Sequence, residues 1–506
     1  LAGLHAAPCQ ENLILQFEDD YEDAEEDIIP DQIPDELTYT DLNRDSAYII
    51  SRRLGIDDTL AVNILKHRKR FGPIGSLYEM KCIKGFSRDL IEQLAPFITL
   101  GFDNRIRTEQ HYLLVKTGKK FRKAEDGESS LPRLALKYRN EMARTGMVLN
   151  IENDQGEPAF NREKGIAVFD HYGGAISYSG RKWLKKAILG DYNVSHGLGL
   201  LINQSFMTGK SPLALQQSGR RKTIKKNTSA NEYLFFRGAA ALAKLGNTTV
   251  SAWYAFQKRD ANITGIDSMS GRIVEVSSIK SSGLHKTAGD IEEKRVISER
   301  NYGFRIGQKI HSLNMAFLFN STNYGANLNP GDQYISRIKP KGSTFSGSSF
   351  YYSYHYKRLF LTGEAAMNGI NRFAFSQGAI YKLADGLWYW GVIRHFQPGY
   401  YAIYGNTINE GSRVSNETGL LNGIRKSFNY STFIEFYTDH YQMPYSTTGA
   451  TGGRLGSEYR LAGSSEWRGI DWRATISFEQ KDQNDPDGSE TGTKIVASKL
   501  RVRFHI

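Results

Sequence analysis

The sequence predicts a mainly β protein, in which a transmembrane antiparallel β-barrel follows a small all-α domain. The first observation is the final stretch, 496–506, where apolar and cationic residues alternate. Successive strand side chains point to opposite faces, so this stretch offers one face to lipid and the other to a lumen. The second is an aromatic content of 12% without the roughly 20 consecutive apolar residues of a membrane helix. The third is a change to a period of about 3.6 residues between positions 42 and 100, which indicates helices.

The alternation recurs toward the C-terminus from about residue 104, so the barrel is predicted to cover 104–506. We expect about 16 strands, with about 14 to 18 possible, because each strand signal is weak. Short Gly/Asn/Asp turns at 245–248 and 383–386 and a long polar stretch at 398–416 predict tight turns at one end and long external loops at the other. Large soluble β-sandwiches or propellers are the alternative, but their repeat period is not visible.

Four cationic residues fall on the lumen face of the predicted last strands. They are Arg473, Lys499, Arg501 and Arg503. A cationic lumen wall favours anions.

The central segment 190–200 and the basic cluster at 220–226 have simpler interpretations. Gly197 and Gly199 fall in phase on a predicted strand, where they would ease close packing inside the barrel. The basic cluster is predicted to lie in a surface loop.

The N-terminal 41 residues predict two segments without a packed core. Residues 1–10 are typical of the end of a secretory signal peptide, apolar and then small. Residues 11–41 contain acids and no Lys or Arg, centred on 18–27, which predicts a disordered linker that either stays solvated or docks on a basic surface. Cys9 and Cys82 are the only cysteines, so no disulfide framework is predicted.

Residues 42–100 are predicted to form a periplasmic domain of short helices joined by hairpins. A helix at 47–53 is followed by a hairpin at 54–57, and Asp58 is predicted to cap the next helix, 59–71. A short helix at 77–83, a second hairpin at 84–87 and a closing helix at 88–96 complete the pattern.

This pattern resembles the paired helix-hairpin-helix module of competence-type DNA receptors. The residues that carry the resemblance include Leu54-Gly55-Ile56, Phe71-Gly72 and Ile83-Lys84-Gly85-Phe86. Together with the barrel and segment 190–200, the whole chain resembles a family of Gram-negative helix-hairpin-helix proteins with a long β-rich C-terminal region. The resemblance implies an outer-membrane protein with a periplasmic N-terminal domain.

DNA-binding hairpins present backbone N–H groups at a helix N-terminus to a phosphate. Asp57 and Asp58 in the first hairpin would repel that phosphate, whereas the second hairpin is compatible with it. A basic flank on the preceding helix would add phosphate contacts or else be a solvated helix face. The candidate residues for binding nucleic acid or a partner protein are Gly55, Ile56, Lys66, Arg68, Lys69, Arg70, Lys84, Gly85, Phe86, Ser87 and Arg88.

Catalytic and metal-binding motifs are missing from the sequence, so we expect no enzyme, no metal and no cofactor. The two histidines that a hidden Ser/His dyad could use are His196 and His355. A lumen or interface histidine is the simpler interpretation of each.

Three functions therefore remain open for an outer-membrane barrel of this kind. The first is a non-enzymatic scaffold or subunit of an envelope assembly or transport machine, with envelope proteins as partners. The second is a component that binds or takes up duplex DNA. The third is an anion-preferring channel, and in every case lipid and lipopolysaccharide surround the barrel.

Overall fold

The structure is a computed structural model, and it describes most of the chain from residue 40 onward. The described residues are 40–54, 56–74, 77–86, 90–91, 94, 98–100, 110–119, 132–142, 144–155, 157, 169–205, 207, 209–218, 223–229, 233–281, 283, 285, 287–331, 336, 338–428, 432–445, 453–467, 470–483 and 493–505. The predicted signal-peptide remnant and most of the acidic linker lie outside them. The described residues divide into a helical unit and a barrel unit.

The helical unit consists of short helices and a two-stranded parallel sheet. Its elements are β1 (Thr40–Asp41), α1 (Ala47–Leu54), α2 (Asp58–Phe71), a 3-10 helix (Leu77–Cys82) and β2 (Ile98–Thr99). Strand β1 corrects the predicted linker boundary at residue 41, because Thr40 and Asp41 pair with β2. Such pairing depends on residues almost sixty positions away and has no local signal.

Polar side chains fix the ends of these elements. Asp57, rather than the predicted Asp58, caps α2, and its carboxylate accepts a hydrogen bond from the backbone N–H of Thr59 at 2.8 Å. Asn43 joins two parts of the unit, because it accepts from the backbone N–H of Ile74 at 2.8 Å and its amide donates to the carbonyl of Leu100. Most of the predicted closing helix, 88–96, lies outside the described residues.

The barrel unit is built from strands that are hydrogen-bonded mainly to their sequence neighbours. They are β3 (Gln110–Gly118), β4 (Arg133–Glu141), β5 (Thr145–Asn153), β6 (His171–Ser179), β7 (Leu184–Val194), β8 (Ile224–Lys226), β9 (Phe236–Leu245), β10 (Thr248–Arg259), β11 (Ala261–Ile266), β12 (Ile273–Ile279), β13 (Ile297–Ile310), β14 (Leu313–Leu328), β15 (Gly342–Tyr356), β16 (Leu359–Asn368), β17 (Phe373–Ala384), β18 (Leu387–Phe396), β19 (Glu417–Ser427), β20 (Phe433–Met443), β21 (Arg454–Trp467), β22 (Ile470–Gln483) and β23 (Thr493–His505).

The strand order closes on itself, with β23 next to β3, and forms an antiparallel barrel. Within the described residues, eighteen strands make the wall, because β7 pairs directly with β9 and β10 with β13. The short strands β8, β11 and β12 branch from it. The predicted barrel is thus confirmed, at the upper end of the predicted strand range. Two short helices, α3 (Pro212–Ser218) and α4 (Ala288–Glu292), lie in the connections.

Connections at the two ends of the wall differ in length. Two-residue turns at 246–247, 311–312 and 385–386 join strands at one end. Gly246 adopts φ 60° there, which a tight hairpin favours. Much longer connections, such as 195–235 and 260–296, lie at the other end. The chain enters β3 and leaves β23 at the short-turn end, because the strand number is even.

The outward face of the wall is apolar and exposed. On paired positions of β22 and β23, Ile476 is 54% exposed and Leu500 is 69% exposed. Similar residues cover the outside of other strands, among them Leu113, Ile176, Ile393, Leu420 and Phe436. Among the described residues, no helix has the length and apolar character needed to cross a membrane.

Candidate functional site

The long connection after β7 folds into the barrel rather than away from it. Leu200 and Leu215 are fully buried. Leu215 of α3 lies against the backbone of Gly378 on β17, where an added Cβ would be 2.5 Å from a Leu215 methyl carbon. It belongs to an apolar cluster with Trp390 and Leu421 from the inner faces of β18 and β19. The described residues of 195–218 therefore fill part of the lumen.

A second connection, 397–416, runs beside the first one and is hydrogen-bonded to it. The backbone N–H of Asn203 donates to the carbonyl of Tyr404 at 2.7 Å, and that of Asn406 donates to Gly199 at 2.9 Å. Gly199 has φ 93°, and an added Cβ would lie 2.0 Å from the Asn406 carbonyl oxygen, so a side chain cannot fit there. We call the described residues of 195–218 and 397–416 the plug.

This arrangement corrects two predictions. Segment 398–416 was expected to be an external loop, but it turns inward because its apolar residues, such as Tyr400 and Tyr404, are buried against the first segment. Gly197 and Gly199 were expected on a strand, but they form a turn with positive φ. Their predicted location inside the barrel agrees with the structure.

Two buried carboxylates of the wall hold the plug. Glu364 of β16 accepts hydrogen bonds from the backbone N–H groups of Gly199 at 2.9 Å and Leu200 at 3.2 Å. Glu299 of β13 accepts from the hydroxyl of Tyr404, which also accepts from Arg259 at 2.9 Å. Buried carboxylates need such partners, and here plug backbone and hydroxyl groups supply them.

An ionic network on the plugged side is nearly inaccessible to water. Arg394 of β18 is fully buried and donates to Asp439 of β20 at 2.8 and 3.0 Å and to Glu417 of β19 at 2.5 Å. Lys210 of the plug reaches the same Asp439 at 2.8 Å and also contacts Glu410 and Glu458. One plug ammonium is thereby surrounded by three carboxylates.

The inner face of the last strands carries exposed cations. Cross-strand partners share a face, and Tyr437, Arg460, Ser477 and Lys499 form one row of partners across β20 to β23. Since Tyr437 is buried against the plug, this row faces the lumen. Lys499 is exposed, and so is Arg501, its neighbour on the same face.

The predicted lumen residues take their places on this surface. Arg473 is half-buried and pairs with Arg503 in the strand register, although the side chain of Arg503 lies outside the described part. On β4, Lys137 and Arg139 pair with the buried residues Asn150 and Val148, so they also face inward. We call the inward cations of β21–β23 and β4 the basic strip: Arg460, Arg473, Lys499, Arg501, Lys137 and Arg139.

The structure separates the predicted binding residues of the helical unit into exposed and buried groups. Lys66, Lys69, Arg70 and Lys84 are exposed. Arg68 instead donates to the carbonyl of Asp45 at 2.8 Å and so joins α2 to the segment that precedes α1.

The remaining candidates of the helical unit support its hairpins. Ile56 and Phe86 are buried, so they pack the hairpins and do not face a ligand. Gly85 has φ 101° in the second hairpin, a value that favours glycine. Gly55, Ser87 and Arg88 lie outside the described residues.

The two candidate histidines lie in different environments. His196 is buried in the plug and accepts from the Nε–H of Arg305 at 3.3 Å. Its Nε2 has no hydrogen-bond partner among the described residues, so no serine hydroxyl meets it there. His355 is exposed beside Phe360.

Sequence reasoning missed a cluster that joins the long connections outside the wall. The ring of buried His285 bonds to Asp170 at 2.5 Å and Asp260 at 2.8 Å, and its backbone N–H donates to Glu157 at 2.9 Å. Lys294 also pairs with Asp170. The five residues are far apart in sequence, so no local pattern could have revealed the cluster.

The protonation of this cluster follows from its hydrogen bonds as well as from its burial. Burial disfavours the imidazolium of His285, but its hydrogen bonds to Asp170 and Asp260 outweigh that effect and raise its pKa to about 9. Burial, and then the negative charge of Asp170, raise the pKa of Glu157 to about 7. Protonated His285 is therefore the form that holds the connections together at neutral pH.

Two groups of three side chains in the described residues have the spacing of metal ligands. They are Glu410, Asp439 and Glu458 in the lumen, and Glu157, Asp170 and His285 outside the wall. The first group surrounds the ammonium of Lys210, and Lys294 pairs with Asp170 of the second. Cationic side chains thus already balance both groups.

A comparison with known protein families supports the helical unit. A family model described as a helix-hairpin-helix motif matches residues 38–99, which confirms the predicted module. No curated protein sequence matches the chain.

Solved structures from Pseudomonas aeruginosa show a distant likeness to the barrel. OpdQ is 9% identical, with a TM-score of 0.39, over 78% of this chain and 96% of that one. The outer membrane protein OprD is 9% identical, with a TM-score of 0.39, over 78% and 92%. OccK11 (OpdR) is 7% identical, with a TM-score of 0.41, over 78% and 93%. Because these TM-scores are below 0.5, we draw no conclusion from the likeness. The barrel assignment depends on the strand pairing of this chain.

Proposed function

We propose that this protein is an outer-membrane channel that prefers anions and whose lumen is narrowed by its own plug. The observation that carries the proposal is the basic strip. Lys499 and Arg501 are exposed on the inner face of β23, whereas Leu421, Tyr437 and Asp439 on the inner faces of β19 and β20 are buried. Water therefore reaches the basic strip but not the plugged side.

The charge of the strip favours small anions along this path. Two unit charges 4 Å apart in water interact by about 1 kcal/mol, and by more beside a low-dielectric wall. Arg473, Lys499 and Arg501 come from adjacent strands, so an anion that passes the strip meets several cations in turn. Cations would meet the same residues as a barrier.

The exposed apolar outer face supports the membrane location. A closed barrel satisfies its backbone hydrogen bonds between strands, so it can expose such a face only to lipid. Short turns at one end and long connections at the other are typical of outer-membrane barrels, with the short turns on the periplasmic side. The helical unit precedes β3, which starts at the short-turn end, so we place this unit in the periplasm.

The roles proposed for the helical unit itself remain predictions. The four exposed cations among its predicted binding residues, Lys66, Lys69, Arg70 and Lys84, would suit duplex DNA or an acidic envelope protein. DNA binding by the full chain should weaken steeply as salt rises, and it should be absent when these four residues are replaced by Gln. A scaffold role requires a protein partner that co-purifies with the chain in mild detergent.

Ion selectivity in planar bilayers tests the channel directly. We expect the full chain in a KCl gradient to give a reversal potential that reports chloride preference. Lys499→Gln with Arg501→Gln should lower the anion preference, by up to about fivefold for each kcal/mol of lost interaction. The matched control is Lys357→Gln, at an exposed position in a short turn outside the lumen, which should leave the selectivity unchanged.

Two results would overturn the proposal. One is the absence of any conductance from properly folded barrels, and the other is cation preference that the lumen variant does not alter.

A further inference from the structure

We propose that the acidic segment 18–27 docks on the exposed basic face of the helical unit of its own chain. The basic face consists of Lys66, Lys69, Arg70, Lys81 and Lys84. The proposal is independent of the channel function, because it concerns only the helical unit and the residues that precede it.

The helix α2 presents most of this face as one stripe. Its opposite side is buried through Leu60, Ile64 and His67. Lys66, Lys69 and Arg70 are separated by three and four positions, so they lie on one side of the helix. All three are exposed.

The second hairpin extends the stripe. Asn63, one turn before Lys66, donates its amide N–H to the carbonyl of Lys84 at 2.9 Å. The contact holds Lys84 beside α2, and Lys81 lies one turn earlier in the chain. Both side chains are exposed.

The basic face has no counter-charge within the described part of the unit. None of its five cations forms an ion pair with a described carboxylate. The acidic residues that could compete are engaged elsewhere: Glu79 contacts His67 at 2.9 Å, and Asp57 caps the N-terminus of α2. A cluster of like charges without partners favours a polyanionic occupant.

The acidic segment has matching charge. Eight of its ten residues are Asp or Glu, and no Lys or Arg occurs before Arg44. Tyr21 and Ala24 are the other two, and an aromatic ring beside exposed Phe71 would add apolar contact. The segment therefore supplies enough closely spaced carboxylates to pair with all five cations.

The covalent connection is long enough for docking. Residues 28–39 separate the segment from Thr40, and twelve residues can span at most about 40 Å. The fourteen-residue helix α2 is only about 21 Å long. Because segment and face belong to one chain, docking is intramolecular and does not depend on protein concentration.

Such docking would make the face available only to a partner that outcompetes the segment. A second polyanion, such as a nucleic acid or an acidic protein, must displace it. The segment thereby sets an affinity threshold for anything that binds the helical unit.

Distance measurement between two spin labels tests this in the full chain. One label is placed on Cys82, which is exposed next to the face, and the other on Tyr21→Cys, with Cys9→Ser to avoid a third site. We expect a short, narrow distance distribution at low salt in detergent micelles. It should broaden and lengthen in high salt, because screening weakens exposed charge pairs.

Two charge variants decide the outcome. Replacing Lys66, Lys69, Arg70 and Lys84 by Gln should broaden the distribution at low salt. The control replaces four acids outside the segment, Glu11, Asp31, Asp35 and Glu36, by their amides and should keep it narrow. Lys66, Lys69, Arg70 and Lys84 are all exposed, so replacing them leaves the core of the unit intact.

Three results would overturn the proposal. The distribution could be long and broad already at low salt. It could stay narrow when the basic face is neutralised, which would mean that the segment rests elsewhere. The short distance could also vanish on dilution with unlabelled chain, which would show docking between two copies.

Discussion

The two sides of the lumen are built from the same kind of strand but differ in what faces inward. On β18 to β20 the inward charges, Arg394, Glu417 and Asp439, are buried, paired and covered by the plug. On β23 the inward residues Lys499 and Arg501 are exposed. A charge in the first environment determines stability, because burying it unpaired costs several kcal/mol, whereas a charge in the second is solvated and acts on ions.

The difference also explains how one barrel wall can hold a plug and still leave a path for ions. Glycine and apolar positions such as Gly378 and Leu421 give the plug a surface to pack on. The basic strip consists of cations alone. A plug segment could therefore cover it only by supplying carboxylates that pair with them. The three carboxylates nearest to the plug ammonium are already paired with Lys210.

Arg394→Leu is expected to have the largest effect on stability of the substitutions that test this difference. It leaves Asp439 and Glu417 without their buried guanidinium, so we expect a loss of about 3–5 kcal/mol in the free energy of unfolding. Lys499→Leu on the open side should change it by no more than about 0.5 kcal/mol. Urea titrations of tryptophan fluorescence in lipid vesicles measure both.

A double variant separates charge from packing. Adding Glu417→Gln to Arg394→Leu removes one uncompensated charge and should recover part of the lost stability. Equal effects of Arg394→Leu and Lys499→Leu would show that the two sides do not differ as described.

Lys210→Gln tests the plugged side separately, because it weakens the docking of the plug without changing a residue of the wall. Its loss leaves Glu410 of the plug and Asp439 and Glu458 of the wall to repel one another where the plug meets the wall. A loss of about 1–3 kcal/mol in docking would raise the population of displaced plug about 5–150-fold. We expect longer and more frequent high-conductance openings in single-channel recordings.

Lys499→Gln alone serves as the matched control for Lys210→Gln. It should alter ion selectivity but not the frequency of openings. If both variants changed the recordings in the same way, the plug and the basic strip would not have separate roles.

His285→Asn has the smallest expected effect on the lumen and tests the outer connections alone. His285 has its pKa raised to about 9 from 6.5, so its contribution is complete below about pH 6.5 and is lost as the pH rises through about 9. Glu157 acts in the same direction, and its contribution is lost between about pH 4.5 and about pH 7, because its pKa is raised to about 7 from 4.5. The contribution of His285 is on the order of 3 kcal/mol.

Hydrogen exchange of residues 287–296, corrected for intrinsic pH dependence, measures this effect. In the natural chain protection should fall as the pH rises from about 4.5 to about 9, first through Glu157 and then through His285. In His285→Asn it should already be low at pH 6, while His311→Asn, in an exposed short turn, should match the natural chain. Unchanged protection in His285→Asn would contradict the role of the cluster.

Local periodicity was enough to predict the barrel and the helical module. Alternation in 470–479 and 496–506 identified strands, the turns at 246–247 and 385–386 were evident from Gly, Asn and Asp, and the hairpin pattern identified the module that the family model confirms. Arg473, Lys499 and Arg501 share one face in the strand register, and the sequence groups them because strand side chains alternate along any strand.

By itself, then, the sequence determined the class of most strands and helices, the face of the residues in 470–479 and 496–506, and the acidic character of residues 11–41. Only the tertiary structure decided that 397–416 turns inward, that Lys210 meets three carboxylates, and that Ile56 and Phe86 are core residues while Lys66 and Lys84 are exposed. The physical reason is range. Periodicity and turn chemistry act over a few residues, whereas the burial and pairing of a charge depend on residues brought together from across the chain.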